Sequence, residues 1–135
     1  MDRFFDKQVD LRTFSPLTLA YIGDGVYELM MREYLLQKGN CPSGKLHALT
    51  VAHVRAEAQA EAVQHLMPLL TEEELDVLKR GRNAHFSRKI PQKASVGQYH
   101  LATGLEALFG WLYLKGESSR LTELFLSIVS TFDQP

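Results

Sequence analysis

The fold of this chain is organised around the stretch LTLAYIGDGVYELMMREY, which occupies residues 17–34. Ser15 and Pro16 precede it, and a hydroxyl residue followed by proline is a typical helix start. Apolar residues then recur at intervals of three and four, the spacing of one helix face. Asp24 falls on that face between two glycines, so we expect its carboxylate in a crowded, poorly hydrated position. Such burial is costly unless the carboxylate is paired, hydrogen-bonded or metal-bound, and the cost favours a functional role.

Outward from this helix, the same spacing predicts further helices and no strands. The first helix spans about residues 16–37, and the others lie at 44–66, 71–81, 98–115 and from 118 onwards. We expect Gly81 to cap the third helix, and in the second we place His53 on the core face and Gln59 on the outer face. Residues 1–14 are predicted to be an irregular lead-in. The sequence therefore predicts an all-α, single-domain fold of five to seven helices over residues 1–135.

The positive charges of the chain are concentrated in one segment. Six of the 15 cations and none of the 16 acids lie between residues 77 and 105, although the formal net charge is only −1. Within this segment, residues 82–96 lack periodicity and contain Pro91, which predicts a basic surface loop. A basic loop is most often a solvated surface, but the absence of acids favours phosphate binding as the alternative.

A second carboxylate stands alone in an apolar helix. Glu106 is the one fully ionisable group between Leu101 and Leu114, in a helix so apolar that we expect it to be central. If this helix crosses the first, Asp24 and Glu106 face each other, and two close carboxylates hold a proton or a cation between them. Oxygen ligands that are few in number suit Mg²⁺. With a basic flank they favour a nuclease, whereas two hydrogen-bonded structural acids are the alternative.

Other chemistries find little support in the sequence. The five histidines lack zinc-ligand spacing, and the single cysteine, Cys41, excludes an intrachain disulfide. We see no signal peptide and no run approaching the ~18–20 apolar residues of a membrane span, so we expect a cytoplasmic protein. We expect Tyr21, Tyr27, Tyr99 and Tyr113 to belong to the core rather than to stack on bases.

Several motifs resemble those of the ribonuclease III family. Residues 19–25, LAYIGDG, resemble its signature L-E-F-L-G-D-[AS], and residues 101–110, LATGLEALFG, resemble its second acidic motif L-A-D-x-x-E-A-L-I-G. The stretches GKLHAL at 44–49 and LKRG at 78–81 occupy the places of G-D-L-x-x-L and L-G-K-G. Four acids of the family are replaced here, by Leu17, Ala20, Ser43 and Thr103. These departures, the stretch KRGRNA at 79–84 and the lack of a double-stranded-RNA-binding domain resemble the Mini-ribonuclease III branch.

The resemblance implies a Mg²⁺-dependent, homodimeric endoribonuclease that cuts double-stranded RNA, with Mn²⁺ as a substitute ion. It implies the double-stranded stalk of precursor 23S ribosomal RNA as substrate, a ribosomal protein or the pre-ribosome as a further partner, and no membrane. Asp24 and Glu106 would be the catalytic metal ligands, and Thr103 would either orient a metal-bound water or pack between helices. The expected RNA-binding residues are Lys79, Arg80, Arg82, Asn83, Arg88, Lys89 and Lys93. The alternative is a non-catalytic, acid-depleted RNA- or ribosome-binding module.

Overall fold

The computed structural model describes residues 1–84 and 95–132, and these ranges contain six α-helices and no β-strand. The helices are α1 (Pro16–Leu36), α2 (Ser43–Val54), α3 (Ala56–Leu66), α4 (Glu72–Arg82), α5 (Val96–Lys115) and α6 (Ser118–Val129). Short 3-10 turns lie at Leu11–Thr13 and Met67–Leu69. The prediction of an all-α fold with five to seven helices is confirmed. No helix in the described ranges is long and apolar enough to cross a bilayer.

Local side-chain chemistry defines the helix ends. The Ser15 hydroxyl accepts the backbone N–H of Thr18 at the start of α1, as the Ser-Pro pair predicted. Reciprocal capping boxes open α4 and α5, where a hydroxyl side chain and the Glu or Gln three residues later satisfy free backbone N–H groups. Gly116 ends α5 in the left-handed conformation, with φ of 84°. Because these capping residues can be recognised in the sequence, most helix ends could be predicted.

Helix α5 is the centre of the molecule, as its apolar surface predicted. It packs against α1, α3, α4 and α6. Its side chains Leu105, Leu108 and Phe109 are fully buried. Because other helices cover α5 on several sides, a functional side chain on α5 can contact solvent only where a neighbouring helix leaves a gap.

The predicted single helix over residues 44–66 is wrong, because it breaks at Arg55. The Arg55 backbone is extended, with φ of −67° and ψ of 159°, and separates α2 from α3. Helix α2 packs mainly on α1, whereas α3 packs on α5 and α6, and one straight helix could not reach both. The change of direction buries Gln59, which we had placed on the outer face. His53 is half-buried against the ring of Phe132, 4.5 Å between centroids, in agreement with a structural role.

The prediction that Gly81 caps α4 is also wrong. The helix continues to Arg82, and Asn83 is its C-cap. Gly81 is buried against α5, where an added Cβ would lie 2.7 Å from the Cβ of Ala107. A Cβ on Gly104 would likewise lie 2.6 Å from the carbonyl oxygen of Leu78. These two glycines let α4 and α5 pack with their backbones close together, so Gly81 serves packing rather than helix termination.

Both ends of the predicted basic loop at 82–96 are helical, since Arg82 belongs to α4 and Val96 to α5. Residues 85–94 within it lie outside the described residues.

Candidate active site

Helices α1 and α5 cross with their backbones in direct contact. A Cβ on Gly23 would overlap the carbonyl oxygen of Glu106 and lie 2.7 Å from the backbone nitrogen of Gly110. A Cβ on Gly110 would overlap the carbonyl oxygen of Leu19. Only glycine fits on both sides of this crossing. It places Asp24, the residue after Gly23, next to the turn of α5 that carries Glu106.

Asp24 is exposed to solvent, which corrects our expectation of a crowded, poorly hydrated carboxylate. The side of α1 that faces α5 is occupied by Gly23 instead, and Asp24 lies at the edge of the helix crossing. An exposed carboxylate can reach a hydrated cation or an RNA backbone without a large desolvation cost.

Glu106 is half-buried, and its negative charge acts on the phenol of Tyr27. Burial raises the pKa of Tyr27 well above its usual value, and the charge of Glu106 raises it further. Tyr27 lies three residues after Asp24 and packs edge-on against Phe109, with ring centroids 5.2 Å apart. The charge of Glu106 therefore acts across the α1–α5 crossing on a side chain of α1.

The donor set fits a magnesium ion. Among residues 1–84 and 95–132 there is no group of three or more His, Cys, Asp or Glu side chains that could hold a metal. A closed protein site of the kind that zinc prefers is therefore not formed by these residues. Mg²⁺ commonly binds one or two carboxylates and takes its remaining ligands from water and substrate phosphate. The exposed Asp24 and the half-buried Glu106, one from each of the two crossing helices, are donors of this kind.

Four of the predicted RNA-binding residues lie together at the C-terminal end of α4. Lys79, Arg80 and Asn83 are exposed, and Arg82 is half-buried. Arg80 forms an ion pair with Asp76 at 3.1 Å, and the Nε of Arg82 donates to the Oδ1 of Asn83 at 3.2 Å. We call this group the α4 cationic end.

The α4 cationic end is anchored close to Glu106 in the chain. A Cβ on Gly104 would lie 3.3 Å from the backbone nitrogen of Arg82, so Arg82 packs on α5 two residues before Glu106. The C-terminal end of α4 therefore packs against the helical turn of α5 that precedes Glu106. The other three predicted cations, Arg88, Lys89 and Lys93, lie outside the described residues.

Thr103 occupies a packing position. Its side chain is buried, and its hydroxyl donates to the carbonyl oxygen of Tyr99 at 3.1 Å. Its own carbonyl oxygen would lie 3.2 Å from a Cβ on Gly81. Of the two roles considered for Thr103, this geometry favours packing between α4 and α5.

Two features of α1 were not predicted from the sequence. Tyr21, which we expected in the core, is 82% exposed. With Gly25 and Leu29, which is 51% exposed, it forms a line at four-residue spacing that we call the outer α1 stripe. Tyr27 was correctly placed in the core, but its position beside Glu106 was not foreseen. Tyr27 lies three residues after Asp24, and this spacing was the one feature of the sequence that placed it near the acid.

Comparison with known proteins identifies the family of the chain. The family model described as Ribonuclease III domain matches residues 17–117, a range that contains both carboxylates and the α4 cationic end. This match defines the class of the protein as a ribonuclease III domain.

Individual relatives narrow the class further. The chain is 48% identical over 112 residues to Mini-ribonuclease 3 of Symbiobacterium thermophilum, covering 83% of this chain and 85% of that one. It is 41% identical over 132 residues to Mini-ribonuclease 3 of Clostridium tetani, covering 96% and 85%. The crystal structure of a Fusobacterium nucleatum protein is similar, with a TM-score of 0.81 and 30% identity over 93% of this chain and 98% of that one. The chain belongs to the ribonuclease III family, as one of its Mini-ribonuclease 3 members. It is an endoribonuclease, as the motifs predicted.

Proposed function

We propose that the chain hydrolyses double-stranded RNA with the help of Mg²⁺, and that Mn²⁺ can replace it. The observation that carries this proposal is the convergence at the α1–α5 crossing. Asp24 and Glu106 come from helices whose backbones touch at Gly23, and the α4 cationic end packs on α5 at Gly104, in the helical turn before Glu106. Two carboxylates with adjacent cations suit a phosphodiester substrate better than a neutral one.

Some of these residues would bind the metal ion and others the RNA. When bound, the metal would polarise the scissile phosphate and supply hydroxide at neutral pH. Asp24 would hold it from the solvent side and Glu106 from the half-buried side. Lys79, Arg80 and Arg82 would bind backbone phosphates. Recognition through phosphates and duplex shape is typical of proteins that bind A-form RNA.

We also propose that the active form is a homodimer, and the outer α1 stripe supports it. Tyr21 and Leu29 lie four residues on either side of Gly25, which leaves open space between them. Two copies of α1 that cross antiparallel at Gly25 would place Tyr21 of one protomer against Leu29 of the other. This arrangement is self-complementary, as a two-fold interface requires.

In the cell, we propose the stalk of precursor 23S ribosomal RNA as the substrate. The support is the motif resemblance, which also suggests the cytoplasm as the site of action and a ribosomal protein or the pre-ribosome as a partner. An RNA bound through phosphates and shape needs few base-reading side chains, and the α4 cationic end contains mainly phosphate-binding residues.

The test of the proposed function is cleavage of a duplex RNA by the full chain in Mg²⁺, comparing the natural sequence with Asp24→Asn. Loss of cleavage with retained RNA binding is expected for Asp24→Asn. Glu33→Gln is the matched control, because Glu33 is an exposed acid nine residues later, on the opposite side of α1. It should cleave normally. Duplex binding without cleavage by any of the three proteins would instead support the non-catalytic RNA-binding module and overturn the nuclease.

A further inference from the structure

Two neighbouring phenylalanines of the N-terminal lead-in lie on the surface. Phe4 is 82% exposed and Phe5 is 80% exposed. Phe4 lies at a backbone bend, and the guanidinium of Arg3 donates a hydrogen bond to the carbonyl oxygen of Lys7 across this bend. Further along the lead-in, Leu11 packs against the core. Two aromatic side chains exposed side by side on an anchored segment form an apolar patch, which is typical of an interaction surface.

An apolar groove of about 410 Å³ lies between α1 and α6, close to these phenylalanines. Met1 lines the groove, and an extended chain reaches from Met1 to Phe5 in ~14 Å, so both phenylalanines lie near it. Its rim is apolar and exposed, since Leu29 is 51% exposed and Leu126 is 57% exposed. We call it the α1–α6 groove, and besides Met1 its lining includes Leu29, Gln37, Thr122, Phe125 and Leu126.

The α1–α6 groove continues the outer α1 stripe. Tyr21, Gly25 and Leu29 are spaced by four residues, and the same row reaches Gln37 two steps further along. Leu29 and Gln37 both line the groove. Rows with this spacing are the ridges along which two helices most often pack. A second α1 that packs along the row at Gly25 therefore passes over the groove.

The antiparallel crossing determines which part of the second copy reaches the groove. With the two Gly25 residues in contact, Leu29 lies opposite Tyr21 of the second copy, and Gln37 lies opposite its Thr13. Along α1, the groove extends from about 6 to about 18 Å from the crossing. The start of α1 of the second copy is therefore the segment that lies over the groove.

The outer α1 stripe alone is too small for a stable dimer. An aromatic side chain such as Tyr21 buries at most roughly 250 Å², and Leu29 is only half exposed. Specific protein interfaces commonly bury about 800 Å² on each partner. Phe4 and Phe5 would together add roughly 250–400 Å², and Leu126 adds apolar area from α6. The area that the stripe lacks is therefore available beside it, which favours a second copy as the occupant of the groove.

We propose that the α1–α6 groove, together with Phe4 and Phe5, binds the start of α1 of a second copy, so that the N-terminal lead-in forms part of the dimer interface. This inference rests on the homodimer of the proposed function. Because the arrangement is two-fold, each protomer provides a groove and fills the groove of the other. Two such contacts, one on each side of the α1 crossing, would fix the angle between the protomers and the distance between their two Asp24 residues.

Sedimentation equilibrium of the full chain tests this surface with variants outside the outer α1 stripe. Phe4→Ser with Phe5→Ser, and separately Leu126→Glu, should weaken the dimer about tenfold or more. The matched control is Leu69→Glu, because Leu69 is 48% exposed but lies in the second 3-10 turn and does not line the groove. It should dimerise as the natural sequence does, and thermal unfolding should show that all variants are folded. A dimer of natural affinity in either of the first two variants, or an equal loss in the control, would overturn the proposal.

Photo-cross-linking locates the contact. The full chain carries the photoreactive residue p-benzoylphenylalanine in place of Phe5, and isotope-labelled and unlabelled chains are mixed before irradiation. Mass spectrometry then separates cross-links between two chains from cross-links within one chain. We expect cross-links to residues 13–21 of the second copy. Cross-links within one chain only, cross-links to another region of the second copy, or none at all, would show that the start of its α1 does not occupy the groove.

The same measurements separate this inference from the proposed function. If Tyr21→Glu separates the protomers while the lead-in and Leu126 variants remain dimers of natural affinity, only the role of the groove fails. If the natural sequence is a monomer that cleaves duplex RNA, the dimer and this inference fail together and the nuclease stands. If the natural sequence dimerises through the groove but does not cleave in Mg²⁺, the nuclease fails and the groove contact stands.

Discussion

Asp24 lies between two glycines, of which one is tightly packed and the other has open space around it. A Cβ on Gly23 would overlap the backbone of α5, whereas a Cβ on Gly25 would meet nothing within 4 Å. From sequence alone, both glycines lower helix propensity equally, and neither reveals which of them touches another helix. The difference decides where Asp24 lies, because the side of α1 that carries Gly23 is the one against α5.

Alanine at these two positions should have opposite effects on stability. Gly23→Ala would force α1 and α5 apart, and we expect a loss of about 3 kcal/mol or more in the free energy of unfolding. Gly25→Ala gains helix propensity and meets no atom of its own protomer. In the Tyr21→Glu background, where the α1 helices of two protomers do not cross, it should add roughly 0.5–1 kcal/mol. Urea unfolding followed by circular dichroism measures both. Similar values for the two variants would show that the helices do not cross at Gly23.

Among the helices, one ion pair connects three elements. Arg120 of α6 donates from Nε and from a terminal nitrogen to the carboxylate of Glu74, at 2.8 and 2.7 Å. It also donates to the carbonyl oxygen of Leu69 in the second 3-10 turn at 2.8 Å. Glu74 closes the capping box of α4 at the same time. The pair is largely buried, with 6% exposure for the Glu74 side chain and 24% for that of Arg120.

We expect Glu74→Gln to lower stability by about 2 kcal/mol at pH 7, less than a fully buried pair because Arg120 is partly exposed. The glutamine amide can still form the capping box, so the loss of stability measures the contribution of the charge on Glu74. Arg120 beside Glu74 holds the pKa of that carboxyl below its usual value. The stabilisation is therefore fully present above about pH 4.5 and is lost as the pH falls through the lowered pKa.

Unfolding in urea at pH 7 and near pH 3 tests this dependence, since the gap between the natural sequence and Glu74→Gln should shrink at low pH. Glu73→Gln is the control. Glu73 contacts Lys115 at 3.2 Å, but both side chains are exposed, and such pairs contribute little. A gap that is constant across the pH range would contradict the charged pair at Glu74.

For the whole molecule, substrate binding depends on charges that the fold brings to one place. The net charge of −1 does not predict RNA binding, whereas the cations gathered at the end of α4 do. The Arg80–Asp76 pair does not prevent that role, because both side chains are more than half exposed and phosphate can compete for the guanidinium.

Reversing two of these charges, Arg80→Glu with Arg82→Glu, should weaken duplex RNA binding and flatten its salt dependence. Each lost phosphate contact should reduce the slope of log affinity against log salt by about one unit. Filter binding at several salt concentrations measures this. The control, Lys7→Glu with Arg12→Glu, changes the net charge equally in the N-terminal lead-in and should affect the slope less. Equal effects would point to net charge rather than to the α4 cationic end.

The whole molecule is also expected to form a dimer. Tyr21→Glu places a charge in the outer α1 stripe and should shift the protein from dimer to monomer in sedimentation velocity. It should leave the fold intact, because Tyr21 is 82% exposed. A monomeric natural sequence, or a dimer that tolerates Tyr21→Glu, would exclude this interface.

Much of the architecture was determined by the sequence alone. Apolar spacing, the Ser15 cap, the capping box at Thr71 and the terminating Gly116 are local signals, so the helices could be predicted from short stretches. The two acids, Asp24 and Glu106, could be selected because each is isolated in an apolar segment. The family motifs added the enzyme class.

Tertiary contacts decided the rest. Periodicity shows which side of a helix is apolar, but a residue at the edge of that side, such as Asp24, is buried or exposed according to how the neighbouring helix crosses. The break at Arg55 follows from packing on two partners and carries no proline or glycine signal. The sites at Gly23 and Tyr27 depend on contacts across more than 75 residues of chain, between α1 and α5. No local pattern reports such contacts, because they form only when the helices pack.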